Sequence, residues 1–347
     1  MNNDRIQEIL DLMEEARLDY FLISDPQSIA YCTGYYNDPH ERMFVFMISK
    51  HGNHTLFMND LFYLEHDLDV NIVWHKDGQD AIQTIVDEMH FPGRIGIDKN
   101  WASHFLLDLM KKLPDAKYIN ASPCVDLVRM KKDLQEQVLM IESSKINDAV
   151  MEEIIPFIQE GVTEKQLAKK LDELFFNHHS TCYGAIVAFG KNAADPHHEN
   201  DDTPLRKGDC VLIDMGCVYK GYCSDMTRTF FYEGILEEEI KVYEIVKKAN
   251  EAAEAMIKPG VKLSDIDKCA RKVISDEGYG KYFTHRLGHF IGRDVHEYGD
   301  VSSVNEMEVE EGMIFSIEPG IYLEGNFGVR VEDLVMVTKD RCQVLNS

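Results

Sequence analysis

Val211–Phe231 reads VLIDMGCVYKGYCSDMTRTFF. Two apolar, β-prone runs flank a polar centre at Tyr219-Lys220, the pattern of an antiparallel hairpin. A hairpin pairs residues symmetric about its turn, so a turn at Tyr219-Lys220 sets Asp214 opposite Asp225, both carboxylates on one face. The construction recurs near the C-terminus, where Ile314–Leu323 (IFSIEPGIYL) and Phe327–Val337 (FGVRVEDLVMV) turn about Gly325 and set Glu318 opposite Glu332. His289, in a loop between Gly288 and Gly292, adds one imidazole.

Such a cluster is unfavourable by itself, because two anions ~4 Å apart repel by ~4 kcal/mol even at an effective dielectric near 20. Cations or protons must accompany it. Two divalent ions would balance the four acids and leave a neutral cage around an uncharged imidazole. Oxygen donors with one imidazole and no thiolate favour Mn(II), Co(II) or Zn(II) over softer metals and argue against a cysteine-type structural zinc; the donor set does not choose among the three, and Mn(II) is the expected ion.

The 347 residues are enough for two ordinary domains. With 36 Lys and Arg against 61 Asp and Glu, the net charge is −25 and the basic residues form no stripe, so neither nucleic acid nor an anionic membrane is an expected partner. The acidic, amphipathic start MNNDRIQEILDLMEEARLDYF is not a secretory leader, and no apolar run approaches 18 residues. Eight dispersed cysteines without a CxxC pair read as free thiols of a cytoplasmic protein.

Along the chain, a helix at 5–16, strands near 20–24, 44–49, 55–58, 72–74 and 94–97, and helices near 81–89 and 101–113 predict an α/β domain over residues 1–122. Asn120-Ala121-Ser122-Pro123 marks its end. A periodic stretch, Leu127–Ile155, predicts one long helix entering a second domain, 123–347, with Pro156 ending it. Thr163 and Gln166 have capping-box spacing ahead of LAKKLDELFF. Helices followed by strands occur twice, over 143–231 and 238–337, which suggests a duplicated layout.

ADPHH (Ala194–His198), VLIDMG (Val211–Gly216), GYCSDMTRTF (Gly221–Phe230), FTHRLGH (Phe283–His289), DVHE (Asp294–Glu297), EEGMIFSIEPGIY (Glu310–Tyr322) and GVRVED (Gly328–Asp333) follow in order. This series resembles the metallopeptidase family that contains prolidase, aminopeptidase P and methionine aminopeptidase. The resemblance implies an α/β N-terminal domain plus an α+β pita-bread (creatinase/aminopeptidase-like) catalytic domain. It also implies two metal ions, with Asp214 on one, Asp225 and Glu332 bridging, and His289 and Glu318 on the second. The two-domain length and YCTGYYNDPHERMF (Tyr31–Phe44) look most like the shorter bacterial prolidases, which are commonly homodimers.

The expected reaction is therefore hydrolysis of the imido bond of Xaa-Pro dipeptides by a hydroxide bridging the two metals. Glu318 is the expected proton shuttle, and His296 and His197 are the expected donors to the scissile carbonyl oxygen. His285, four residues before His289, would orient the ligand or meet substrate, and Arg330 joins it on the substrate side. A two-histidine zinc reading of His285 and His289 fails, because no HExxH stands here.

Two departures from the family pattern direct attention to substrate choice. Phe290 replaces a usual glycine, and Arg293 adds a guanidinium where an apolar residue is usual, so Arg293 is expected to bind the substrate's C-terminal carboxylate. Asp38 and His40, in the loop Asn37–Arg42, are expected to reach a neighbouring subunit's active-site mouth, with Asp38 pairing Arg293 as a lid. The alternatives are an aminopeptidase acting on longer Xaa-Pro peptides and a non-catalytic binding module of the same fold.

Overall fold

A computed structural model describes residues 1–90 and 92–346. Contacts divide the chain into two compact units, one ending at Arg129 and the other starting at Met130. The first contains a six-stranded mixed sheet in the order Asn71–His75, Thr55–Asn59, Val45–Ser49, Tyr20–Ile23, Arg94–Ile97, Lys117–Asn120. Side chains alternate across a sheet. Phe21, Ile23, Phe46 and Ile48 accordingly pack with Ile6, Ile9 and Met13 of helix Asn3–Glu15. Tyr20, Leu22, Val45 and Met47 pack with Ile82 and Ile85 of helix Ala81–Glu88 and Leu109 of helix Ser103–Lys112.

Three elements of this unit were not expected. Helix Pro26–Thr33, capped by Asp25, is buried at every position from Ser28 to Thr33, so it shows no amphipathic period. Strand Lys117–Asn120 is an edge with both end residues exposed. Helix Pro123–Met130 contributes Cys124, Val125 and Val128 to the N-terminal core, which carries the first unit beyond the expected end at residue 122 to Arg129.

The long helix expected over 127–155 is interrupted at 131–133. Asp133 accepts hydrogen bonds from the Gln135 and Glu136 amides while Glu136 accepts from the Asp133 amide, a capping box that starts a new helix, Leu134–Ile154. A 3-10 turn containing Pro156 ends it. Thr163 and Gln166 form the expected capping box for helix Glu164–Asn177.

Two helix pairs, each followed by antiparallel strands, build this second unit. Helices Leu134–Ile154 and Glu164–Asn177 precede a sheet ordered Met226–Phe231, Cys210–Met215, Ile186–Phe189. Helices Glu237–Met256 and Leu263–Asp276 precede the ladders Ile314–Ile317/Asp333–Val337 and Gly320–Leu323/Phe327–Arg330. A bridge between Thr227 and Glu332 joins the two sets of strands. All eight cysteines are free, and no helix among the described residues is long and apolar enough to cross a membrane.

The hairpin registers decide where the acids fall. Tyr219 pairs with Tyr222, so the first turn is Lys220-Gly221, with φ of 48° and 82°, rather than Tyr219-Lys220. Two positive-φ residues are what a two-residue turn needs to match strand twist, and glycine takes the second without strain. Asp214 therefore faces Thr227, not Asp225. The shift is two residues, a full side-chain period, and so the faces are conserved.

The second hairpin has the expected register. Ile317 pairs with Asp333 and Gly320 with Arg330, centred on Gly325 at φ 75°, so Glu318 and Glu332 occupy symmetric positions. A Cβ on Gly325 would meet nothing within 4 Å, so substitution there probes backbone conformation alone. Gly325→Val is expected to lower unfolding free energy by about 1–2 kcal/mol, the usual cost of a side chain in the left-handed region, measured by urea denaturation. An unchanged midpoint would contradict the turn.

Candidate metal centre and catalytic cavity

A cavity of about 440 Å³ opens in the second unit. Its lining includes Asp214, Asp225, His289, Glu318 and Glu332 together with His197, His285, His296 and Arg330. Asp214 is the last residue but one of strand Cys210–Met215, Asp225 lies between strands Tyr222–Cys223 and Met226–Phe231, and Glu318 and Glu332 lie at the gaps between the paired C-terminal ladders. His289 comes from the short strand Gly288–His289, paired with Asp300–Val301. Residues up to 118 apart in sequence thus converge because both hairpins aim their acids at one point.

Asp225, His289 and Glu332 are all buried, and each offers a ligand atom within 4.8 Å of the others. His289 Nε2 lies 3.5 Å from Asp225 Oδ2 and 3.6 Å from Glu318 Oε1. Burial raises the Asp214 carboxyl to about 6, with Arg330 opposing and Asp225 adding to the rise. Burial raises Glu318 to about 7 against the pull of His289 and Arg330, and it drives Glu332 well above the usual range, helped by Asp225 and Glu318. For His289, burial would lower the imidazole, but its hydrogen bond to Asp225 and the Glu318 charge outweigh that and raise it.

Arg330 is the buried guanidinium of the cavity wall, and its donors are committed. Nη2 donates to Asp214 Oδ2 at 2.6 Å, Nε to Thr227 Oγ1 at 3.0 Å, and Nη1 to Tyr322 OH at 3.0 Å. Thr227 Oγ1 in turn donates to Glu332 Oε2 at 2.6 Å. One guanidinium cannot neutralise four carboxylates. Buried and half-buried oxygen donors with one imidazole and a deficit of positive charge fit divalent cations held by Asp214, Asp225, His289, Glu318 and Glu332.

The ligands are themselves held in place. Ser316 Oγ accepts from the His289 amide at 3.0 Å and donates to Glu318 Oε1 at 3.2 Å, so one hydroxyl orients both. The His289 and His296 rings meet edge to face, with centroids 4.3 Å apart. Burial, and then the neighbouring His289 charge, push His296 down to about 4. His285 is also pushed down to about 4, first by burial; its Nε2 lies 2.8 Å from Tyr322 OH and its Nδ1 2.7 Å from the Arg286 carbonyl. Both imidazoles are therefore neutral at physiological pH in this arrangement.

Glu164, His198 and Asp201 form a second group of potential ligands. Glu164 is fully buried, and its oxygens meet the Phe189 and Asp201 amides, Asn192 Nδ2 and His198 Nε2 at 2.6–3.0 Å. The chain satisfies this carboxylate itself. It anchors the turn on which His197 faces the cavity.

Phe290 and Arg293, expected at the substrate, are not among the residues lining the cavity. Phe290 is fully buried against Phe315, because strand alternation sends it away from the face that His289 occupies. Its bulk is accommodated by Gly299, where a Cβ would sit 2.8 Å from the Phe290 ring. Arg293 does not line the cavity; its guanidinium lies over the Tyr222 ring at 5.4 Å, beside the Lys220-Gly221 turn. Asp38 and His40 lie on an exposed loop of the N-terminal unit, where the Asp38 carboxylate accepts from the His40 amide at 3.0 Å. Arg330 holds Asp214 rather than offering a free fork to substrate.

Arg286, Tyr183 and Tyr322 were not singled out from the sequence. Arg286 lines the cavity and is exposed, and its place three residues before His289 was a usable signal. Tyr183 also lines the cavity and donates to the Ser224 carbonyl at 2.7 Å; nothing in TCYG marks it. Tyr322 joins His285 to Arg330, a role visible only in three dimensions.

Known proteins agree with this architecture. Residues 138–339 match the model of metallopeptidase family M24, and residues 5–131 match the creatinase/prolidase N-terminal domain. An uncharacterized peptidase of Staphylococcus aureus (strain bovine RF122 / ET3-1) is 35% identical over 350 residues, covering 98% of both chains. A dipeptidase structure from Pyrococcus horikoshii OT3 superposes with a TM-score of 0.92 at 36% identity, covering 99% of this chain and 98% of that one. A recombinant prolidase from Thermococcus sibiricus gives a TM-score of 0.94 at 32% identity, covering 100% and 97%. The chain belongs to metallopeptidase family M24, with a creatinase/prolidase α/β domain preceding a pita-bread catalytic domain.

Proposed function

We propose that this protein hydrolyses the imido bond of Xaa-Pro dipeptides, using two divalent cations held by Asp214, Asp225, His289, Glu318 and Glu332. The observation that carries the reading is the convergence of these five donors in one cavity whose lining also holds His197, His285 and His296. None of the five is replaced, which argues against a silent binding module. The similar structures named dipeptidase and prolidase support the choice of short substrates.

When bound, the cations supply Lewis acidity and stabilise negative charge on the reacting oxygens. Glu318, held by Ser316, takes the proton of the attacking water and returns it to the departing proline nitrogen. His296 and His197 approach the scissile carbonyl from the cavity wall and donate to the oxygen as its charge grows. Arg330 fixes Asp214 and, through Thr227, Glu332, so the acids do not splay apart before the cations arrive.

Arg286 takes over the role expected of Arg293. Every dipeptide carries a C-terminal carboxylate, and an exposed guanidinium on the cavity wall is a suitable partner for it. Arg286→Ala is expected to raise KM for Leu-Pro by about tenfold or more, from loss of a charge-assisted hydrogen bond, and to change hydrolysis of Leu-Pro-amide far less. Equal effects on acid and amide would remove this role.

Glu318→Gln is expected to lower kcat by about 10²–10⁴-fold, the range of a lost general acid–base group, in protein checked for metal content. Retention of near-normal kcat would move the proton shuttle to another residue. The reaction itself is tested by adding Mn(II), Co(II) and Zn(II) separately to metal-free protein and comparing Leu-Pro with Leu-Pro-Pro. Chelator-sensitive cleavage of Leu-Pro in preference to Leu-Pro-Pro is expected. Preference for the tripeptide would make the enzyme an aminopeptidase, and no hydrolysis with any ion would overturn the proposal.

A further inference from the structure

His296 reaches the cavity from a segment without regular structure between Ile291 and Gly299. Within this segment lies a buried ion pair outside the metal centre. Lys132 Nζ lies 3.0 Å from Glu297 Oε2, with the two side chains only 1% and 5% exposed. Glu297 is the residue after His296, and its other oxygen, Oε1, accepts from the Arg293 amide at 2.9 Å. Its own amide donates to the Phe290 carbonyl at 2.9 Å.

Glu297 therefore grips both ends of the segment that follows His289. Gly292 completes the grip: a Cβ there would sit 2.7 Å from Glu297 Oε1, so only glycine lets the chain fold over the carboxylate. Lys132 is an equally fixed base. Its amide donates to the Gly312 carbonyl at 2.8 Å, its carbonyl accepts from Gln137 Nε2 at 2.8 Å, and Lys131 bridges to Met313. Gly312 and Met313 lead directly into Ile314–Ile317, the strand that ends beside Glu318.

A buried lysine is costly unless its charge is met, and apolar residues commonly replace such pairs without loss of stability. Burial of this pair thus invites a reason beyond stability. The active-site segment supplies one: a hydrogen-bonded carboxylate permits few positions for the residue next to it, and displacement of about 1 Å at a catalytic group can cost 10²-fold in rate.

We infer that Lys132 is a positioning residue for peptide hydrolysis, acting through Glu297 to fix the 291–297 segment and so the place of His296 in the cavity. This rests on the role assigned to His296 above. Lys132 touches no substrate or reacting atom.

The test is a mutant cycle in full-length, Mn(II)-loaded protein with Leu-Pro as substrate. Lys132→Met is expected to lower kcat by about tenfold or more while KM changes by less than about threefold, because positioning is lost rather than binding. In a His296→Ala background the same substitution is expected to lower kcat by less than about twofold, since residues acting as one unit are not additive. Fully additive losses would overturn the proposal and leave Lys132 a stability residue. Lys132→Met removes the cation from a buried carboxylate, so Lys132→Met/Glu297→Gln is measured beside it; this pair is expected to fold and still to show the kcat loss.

A second readout separates this inference from the choice of substrate. In ¹³C-histidine NMR of the protein loaded with diamagnetic Zn(II), the His296 ring signal, assigned by its loss in His296→Ala, is expected to shift or broaden in the double variant. An unmoved His296 signal would overturn the clamp even if Leu-Pro is cleaved. A displaced signal in a protein that cleaves no Xaa-Pro dipeptide would support the clamp and reject the substrate.

Discussion

Mutual repulsion among buried carboxylates governs this molecule. Asp214, Asp225, Glu318 and Glu332 are gathered around one imidazole, where burial has already raised three of the four carboxyls. Such an arrangement is stable only with compensating cations or with protons on some of the acids, and it is the ionised form that demands cations. The chain contributes one buried guanidinium, Arg330, and spends it on Asp214. The rest of the requirement is left to cations, and that deficit of charge makes the site a metal centre. The surrounding strands, hairpin turns and hydrogen bonds serve to hold the acids together against their own repulsion.

The supports are arranged in a recognisable hierarchy. Two hairpins aim the acids, and the Thr227–Glu332 bridge joins the two repeated halves at the point where the acids meet. Ser316 couples His289 to Glu318, while Arg330 couples Asp214 to Thr227 and Tyr322. Farther out, Glu164 anchors the turn bearing His197, and Lys132 with Glu297 anchors the segment bearing His296. His197 and His296, both on the cavity lining, are thus each backed by a buried, hydrogen-bonded carboxylate.

Much of this was legible because hairpin symmetry and a period of two are strict. Gly325 announced the second turn, and its register followed without error. At the first turn, Lys220-Gly221 carried the stronger signal, yet centring on Tyr219-Lys220 displaced the register by a full period and so still placed Asp214 and Asp225 on one face. Phe290 and Arg293 were assigned to the pocket as departures from the family pattern beside His289. Alternation along the strand decides otherwise, burying Phe290 on the opposite side. The helix break at Asp133 was written in the DLQE capping box, whereas helix Pro26–Thr33 was hidden because a fully buried helix has no polar face to reveal its period.

The central claim is that the acid cluster exists to bind divalent cations. Calorimetric titration of metal-free protein with Mn(II), repeated in buffers of different ionisation enthalpy, tests it most directly. The account predicts saturable binding of two ions per chain, with protons released as the raised carboxyls of Asp214, Glu318 and Glu332 ionise, and with affinity rising as pH rises through about 6 to 7. Binding is expected to be lost or halved in Asp225→Asn. Absence of binding, or binding unaffected by that substitution and without proton release, would contradict the account.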